Sequence, residues 1–312
     1  MKTVAFLFSG QGAQKIGMGA DWLTLPECRL LFDQADTELG YPISEICLNG
    51  PEEKLTETRY CQPALYVHGL ASLAALLARV SLKPAFVAGL SLGEFTAHAA
   101  AGTFSFAEGL RLVALRGQAM QDACETTPGG MLSLLGASTE QAKDIAAQAG
   151  VDVANLNSPG QIVLSGHADK IQAIPELAKK MGVKRAIPLK VAGAYHSKLM
   201  EPAKKRLADA LAAVAWQTPP VPVVSNFSAE PTTDTNSIQK LLLEQITGSV
   251  RWEESVLAMK RMGVSHFIEF GPGEVLAGLM KRIDPDLKVA SVSDMLSLEK
   301  AVAFAAQEQL CD

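Results

Sequence analysis

The run AGLSLGEF at residues 88–95 carries the spacing G-x-S-x-G, with Ser91 between Gly89 and Gly93. It lies between a strand-like run, PAFVAGL, and a helix-forming one, GEFTAHAAAG. A serine in that context sits on a sharp strand-to-helix turn with its hydroxyl at the top. Flanking glycines let strand and helix approach closely. The helix N-terminus adds free N–H groups and the positive end of its dipole. That is the chemistry of a serine nucleophile in acyl transfer. The competing reading is an ordinary strand-helix turn that contains a serine.

Such a nucleophile needs a base, and the chain has five histidines. His98 lies seven residues along the helix that follows Ser91, about 10 Å up its axis. His68 falls inside a helical run, and His266 in or beside an apolar strand. His167 follows a strand in the middle of the chain. His196, in VAGAYHSKLM, lies in a loop after a strand, where catalytic groups are often placed. By elimination His196 is the candidate base, and a structural role is the default for the other four.

An arginine gives the third signal. In LRLVALRGQAM, Leu112, Leu115, Ala119 and Met120 share one helix face, and Arg116 falls inside that apolar stripe. A guanidinium there stays charged and needs an anion. The spacing leaves three partners open: a protein carboxylate, water reached by snorkelling, or a substrate carboxylate.

The opening loop, FLFSGQGAQKIGMG at residues 6–19, follows a short apolar run. It fits neither a Rossmann fingerprint, because position 15 is Lys15, nor a P-loop, because the closing Gly-Lys-Ser/Thr is missing. Acyl transfer through serine creates an oxyanion that two backbone N–H groups must meet. In G-x-S-x-G enzymes one comes from the residue after the serine, here Leu92. The other comes from a separate glycine-rich loop. Gln11, flanked by Gly10 and Gly12, suits that role, although a plain connecting loop would read the same way.

Strand-like and helical segments alternate around these residues. TVAFLF and PAFVAGL read as buried strands. QPALYVHGLASLAALLARV and FAEGLRLVALRGQAMQDA read as helices, and the order predicts a parallel sheet. In the middle, GGMLSLLGA, DVANLNSPGQIVLSG and KRAIPLKVAG read as three strands separated by two helices, a small α+β insertion. VPVVSN and SHFIEFGPG then return to buried-strand character, with helices at SVRWEESVLAMKRMG and EVLAGLMKRI.

Composition limits the rest. The 312 residues are 48 % hydrophobic and 20 % charged, which supports a packed core. The net charge of -5 argues against nucleic acid as a partner. No apolar run is long enough for a membrane span, and no signal peptide opens the chain. The five cysteines are widely spaced, without C-x-x-C or histidine clustering. They read as reduced thiols of a cytoplasmic protein with no metal site.

Taken together, FSGQGAQKIGMG, QPAL, GLSLGEFTAHAAAG, LRGQAM, NLNSPGQIVLSG, AGAYHSKLMEPA, PVVSN and EFGPGEVLAGL stand in an order that resembles the malonyl-CoA:acyl carrier protein transacylases. The resemblance covers nearly the whole chain. It implies an α/β fold: an α/β-hydrolase-like domain over 1–125 and 190–312, with an inserted ferredoxin-like subdomain over 126–189. It implies Ser91 as the acylated nucleophile, His196 as base, and Gln11 and Leu92 as oxyanion donors. Gln245 would orient the histidine through its main-chain carbonyl. Arg116 would hold the malonyl carboxylate, with Gln62, Met120, Tyr195, Asn157 and Gln11 also at the substrate. Malonyl-CoA and an acyl carrier protein are the implied partners, with no cofactor, and a monomer is expected.

Two positions depart from many relatives. Leu90 stands where histidine often precedes the nucleophile, beside the chemistry but outside the proton path. Tyr195 precedes the base, as in malonyl-selective domains of polyketide synthases, and would narrow the pocket against branched units. Lys198, Lys204, Lys205 and Arg206 follow the base and suit either a docking surface for an acidic carrier or a solvated helix face. Rival readings are an acyltransferase serving a polyketide synthase, an acyl hydrolase, and a non-catalytic carrier-binding protein. Arg116 argues against the hydrolase. The joint presence of Ser91, His196 and Arg116 argues against the binding protein.

Overall fold

The computed structural model describes residues 2–311. Among them the strands are β1 (Thr3–Phe8), β2 (Phe86–Gly89), β3 (Gly129–Leu135), β4 (Asp152–Ser158), β5 (Gln161–His167), β6 (Arg185–Pro188), β7 (Val223–Val224), β8 (Pro231–Thr232), β9 (Val264–Phe270) and β10 (Lys288–Val292). They form two sheets, ordered β10-β9-β1-β2-β7-β8 and β4-β5-β3-β6.

The larger sheet is parallel except at β8, which pairs antiparallel with β7. β1 lies near its centre, and Val4 to Phe8 are all buried. A strand covered on both faces needs a continuous apolar run, which is what VAFLF supplies. β1, β2, β7 and β9 run the same way, so the residues after Phe8, Gly89, Val224 and Phe270 all emerge at one edge. In open parallel sheets the crevice beyond the carboxyl ends of the strands is where ligands bind.

Two long helices pack beside that sheet. The helix Thr58–Leu77 is buried along most of its length, which explains its weak amphipathic pattern. The helix Phe106–Thr126 opens with a capping box, Ser105 and Glu108 bonding each other's backbone N–H. It carries Arg116 on its buried face.

The smaller sheet is antiparallel throughout. Its helices, Thr139–Ala149 and Ala168–Lys180, cover one face around Leu132, Leu134, Ile145, Ile162, Leu164 and Ile174. The other face turns toward the larger sheet. Met131 and Val163 belong to the large core, one residue out of phase with Leu132 and Leu164. Strand alternation produces that division.

One reading from the sequence is corrected. DVANLNSPGQIVLSG is not a single strand but the hairpin β4–β5, turning at Pro159 and Gly160. Gly160 takes φ 71°, a conformation that favours glycine. Proline cannot donate to a ladder, so a central strand could not have continued through it. KRAIPLKVAG supplies a strand only over Arg185–Pro188, and VPVVSN only over Val223–Val224.

Glycine is required where β1 meets the helix Leu92–Ala100. A Cβ on Gly93 would lie 2.1 Å from the Phe8 carbonyl oxygen. Gly93→Ala is therefore expected to cost at least ~1–3 kcal/mol, as overpacking does. Gly278 sits on the exposed face of the helix Val275–Ile283 with nothing within 4 Å of such a Cβ. Gly278→Ala is expected to stabilise by about 0.5–1 kcal/mol. Urea unfolding of the two variants checks both signs.

Candidate active site

Ser91 sits between β2 and the helix Leu92–Ala100 at φ 55° and ψ −103°. A non-glycine residue in such a region costs ~1–3 kcal/mol, so its surroundings must hold it there. They do so through its own peptide groups. The Ser91 N–H donates to Asn226 Oδ1 at 2.6 Å, and Asn226 Nδ2 donates to the Gly89 carbonyl at 2.8 Å. Gln245 Nε2 donates to the Ser91 carbonyl at 3.0 Å.

His196 reaches the serine from the loop after β6. Its Nδ1 lies 2.8 Å from the main-chain oxygen of Gln245, the last residue of the helix Thr235–Gln245. A carbonyl only accepts, so Nδ1 carries the proton and Nε2 presents its lone pair. Nε2 is 2.7 Å from Ser91 Oγ, whose hydroxyl therefore donates to it. The carbonyl is free for this because the last carbonyls of a helix have no intrahelical partner. The negative end of the helix also favours an imidazolium, so no carboxylate is needed behind the base. Burial, then the nearby Arg116 cation, pushes His196 down to about 4. It is neutral at about pH 7 and able to accept a proton.

Arg116 is 2 % exposed and makes no ion pair among the described residues. Its Nη1 donates to Gln62 Oε1 at 2.6 Å. Its Nη2 donates to Ser91 Oγ at 3.1 Å and to Gln245 Oε1 at 3.0 Å. Its Nε has no acceptor, and the guanidinium lies 5.2 Å from the centre of the Phe95 ring. Burial lowers its pKa to about 10, opposed by the charge of Glu94. The cation is thus neither snorkelled nor paired with a protein carboxylate, and it touches Ser91 Oγ.

The N–H of Leu92 is the first of its helix and has no intrahelical acceptor. That of Gln11 donates to no other backbone group among the described residues. Loop and turn are pressed together, since a Cβ on Gly10 would lie 2.2 Å from the Leu90 oxygen. Gln11 is steadied by a bond of 2.9 Å from Thr58 Oγ1, which in turn accepts from Gln62 Nε2 at 2.7 Å.

These groups open on a cavity of about 300 Å3 between the two sheets. Gln11, Ser91, Leu92, Arg116, Met120, Asn157, Tyr195 and His196 all line it. Gln62 and Gln245 do not: the first meets Arg116, and the second meets Arg116, Ser91 and His196. The resemblance implies Gln62 near the substrate; in the fold it is buried and accepts from Arg116 Nη1. Leu90 lines the wall. The other histidines are engaged elsewhere: His68 accepts from Trp22 Nε1 at 3.0 Å, His98 meets Thr103 at 3.1 Å, and His266 meets Glu308 at 3.1 Å. His167 ends β5 on the surface. Of the cations after the base, Lys204 pairs with Glu244 and Arg206 with Asp122. The described residues hold no cluster suited to a metal ion, and no helix long and apolar enough to cross a membrane.

The family described as acyl transferase domain matches residues 5–296. The chain belongs to that family. It is 42 % identical, over 99 % of both chains, to the malonyl CoA-acyl carrier protein transacylase of Bacillus subtilis. The solved malonyl-CoA:acyl carrier protein transacylase of Xanthomonas oryzae matches with TM-score 0.94 and 38 % identity, over 97 % of this chain and 98 % of that one. A malonyl-transacylase solved with a type II polyketide acyl-carrier protein matches with TM-score 0.92 and 36 % identity, over 97 % of this chain and 100 % of its own.

In this acyl transferase three supports escaped the sequence reading. Thr58 lies four residues ahead of the helical run that begins at Gln62, where nothing marks it. Glu94 directly follows the serine motif and Asn226 ends PVVSN, yet neither spacing assigns them a partner. The one available signal was a polar side chain closing an apolar run.

The low pKa of His196 has a direct consequence for this acyl transferase. Labelling of Ser91 by an uncharged fluorophosphonate is expected to hold its rate as pH falls to about 5, and to drop as the imidazole protonates through about 4. Arg116→Met removes a cation that opposes protonation, so the drop should move to higher pH. Single-turnover rates against pH test both statements.

Proposed function

We propose that the protein moves a malonyl group from malonyl-CoA to the phosphopantetheine thiol of an acyl carrier protein through a malonyl-Ser91 intermediate. The observation that carries this reading is Arg116: a buried cation without a protein carboxylate, 3.1 Å from the nucleophile's oxygen. A substrate that brings its own carboxylate completes the pair.

Ser91 Oγ attacks the thioester carbon while His196 Nε2 takes its proton. The carbonyl oxygen becomes an oxyanion facing the N–H groups of Gln11 and Leu92. The C–S bond breaks, and the imidazolium returns the proton to the departing CoA sulfur. A second thiol then repeats the steps in reverse order. Bound malonate offsets the charge of Arg116, so His196 is a stronger base with the proper substrate than in the empty site. As written, the reaction requires no cofactor; malonyl-CoA and CoA are substrate and product.

The same reading takes residues 1–125 and 190–312 as an α/β-hydrolase-like domain and 126–189 as a ferredoxin-like subdomain. The strand-helix-strand-strand-helix-strand order of the smaller unit supports the second assignment. Met120, Asn157 and Tyr195 shape the acyl and pantetheine space. Tyr195 is buried beside the base, which favours an unbranched malonyl unit. A polyketide carrier would use the same chemistry. A cytoplasmic monomer is the expected setting.

Arg116→Ala is expected to depress malonyl labelling of Ser91 far more than acetyl labelling. The ratio should fall by ~10²-fold or more, since acetyl has no carboxylate to leave unpaired. An unchanged ratio with a lowered melting temperature would assign Arg116 to structure instead.

Ser91→Ala should abolish the malonyl adduct while the thermal melt survives, and intact mass spectrometry reads this directly. An adduct on another residue would sink the nucleophile assignment.

A further inference from the structure

Glu94 is a buried carboxylate that the acyl transfer steps do not use. It lies in the first turn of the helix Leu92–Ala100 and is fully buried. It does not line the cavity, so it touches no substrate. Its Oε2 accepts from the Asn226 main-chain N–H at 3.0 Å and from Gln245 Nε2 at 2.6 Å. Its Oε1 makes no hydrogen bond of good geometry among the described residues, while the Ser225 hydroxyl also favours the charged carboxylate.

The two donors' owners, Asn226 and Gln245, hold the two halves of the chemistry. Asn226 spans the turn, taking the Ser91 N–H and giving to the Gly89 carbonyl. Gln245 holds the base through its main-chain oxygen and Arg116 through Oε1. These residues come from separate elements: Ser91 follows β2, Asn226 follows β7, and Gln245 ends a helix. One carboxylate oxygen joins them.

We propose that Glu94 and Asn226 are positioning residues that act as one unit: Glu94 ties the backbone of the nucleophile, through Asn226, to the residue that orients His196. The role required of Glu94 is that of an acceptor for two N–H groups. Glutamine can fill it through one amide oxygen, with its amide nitrogen at the place of Oε1. Alanine cannot, and aspartate is one methylene too short to reach both donors. Asn226 has to accept and donate at once, because the turn presents an N–H and a carbonyl.

The proposal rests on Ser91 as the acylated nucleophile, and two probes keep the two ideas apart. Malonyl-CoA labelling of Ser91 in the wild type reports the acyltransferase reading. The rate of labelling by a fluorophosphonate reports the serine-histidine geometry alone. Glu94→Ala and Asn226→Ala are each expected to slow fluorophosphonate labelling by ~10²-fold, the scale of a small misplacement of reacting groups. The double variant should be no slower than the slower single one, because both break the same unit. Glu94→Gln should stay within about fivefold of wild type, the difference between charged and neutral acceptors.

Circular dichroism at the assay temperature checks folding. If the alanine variants do not fold, Glu94→Asp against Glu94→Gln decides: a slow aspartate and a fast glutamine variant support the unit. Wild-type rates in the alanine variants, losses that multiply in the double variant, or a glutamine variant as slow as alanine or aspartate would each overturn it.

Discussion

The structure is organised around a cation it does not neutralise. Arg116 is 2 % exposed, beside Ser91 Oγ, and without an ion pair among the described residues. A desolvated guanidinium is tolerable only if its N–H groups find neutral acceptors and a nearby negative charge. Gln62 and Gln245 supply the acceptors, the Phe95 ring covers the plane, and Glu94, whose carboxyl burial pushes up to about 7, supplies a partial charge at a distance. With Glu94 one layer back, the guanidinium beside Ser91 is left without an ion pair, which is what the proposed malonyl reading requires.

That charge also helps to set the protonation state of His196. An imidazole buried beside a guanidinium resists protonation, so His196 stays neutral and ready in the empty site. An aspartate behind the histidine would pair with the same cation and compete for it. A helix C-terminus gives a partial negative charge without a formal one. The Gln245 carbonyl therefore fixes the tautomer while leaving the guanidinium unclaimed. Gln245 serves both groups from one residue, its main chain at the base and its side chain at the cation.

The two sheets divide the labour. The parallel sheet brings the ends of β1, β2 and β7 to one edge, and with them Gln11, Ser91 and Asn226. The antiparallel sheet roofs the cavity with the side chains that do not enter its own helical layer. Met131, Asn155, Asn157 and Val163 line it from above. The Val250 N–H donates to the Ala154 carbonyl at 2.8 Å, and the Leu156 N–H to the Val250 carbonyl at 2.9 Å, tying the edge of that roof to the larger unit. A one-residue slip in β4 would turn both asparagines away from the cavity.

Local spacing determined a good deal of this. The apolar run of β1, the glycines around Ser91 and the capping box before Arg116's helix each act within a few residues. Sequence therefore carried the serine turn, the parallel sheet and the burial of Arg116. His196 was reached by elimination, and the part of Gln245 came from family resemblance. Spacing could not show who accepts from whom across elements. The hairpin at Pro159-Gly160 was hidden because two apolar runs joined by a short turn look like one strand. Only the folded chain decided that Gln62 stands behind Arg116, that Asn226 clamps the turn, and that Glu94 ties Asn226 to Gln245. Those contacts join residues 54 to 151 positions apart in the chain, so they exist only when the folded chain has brought these elements together.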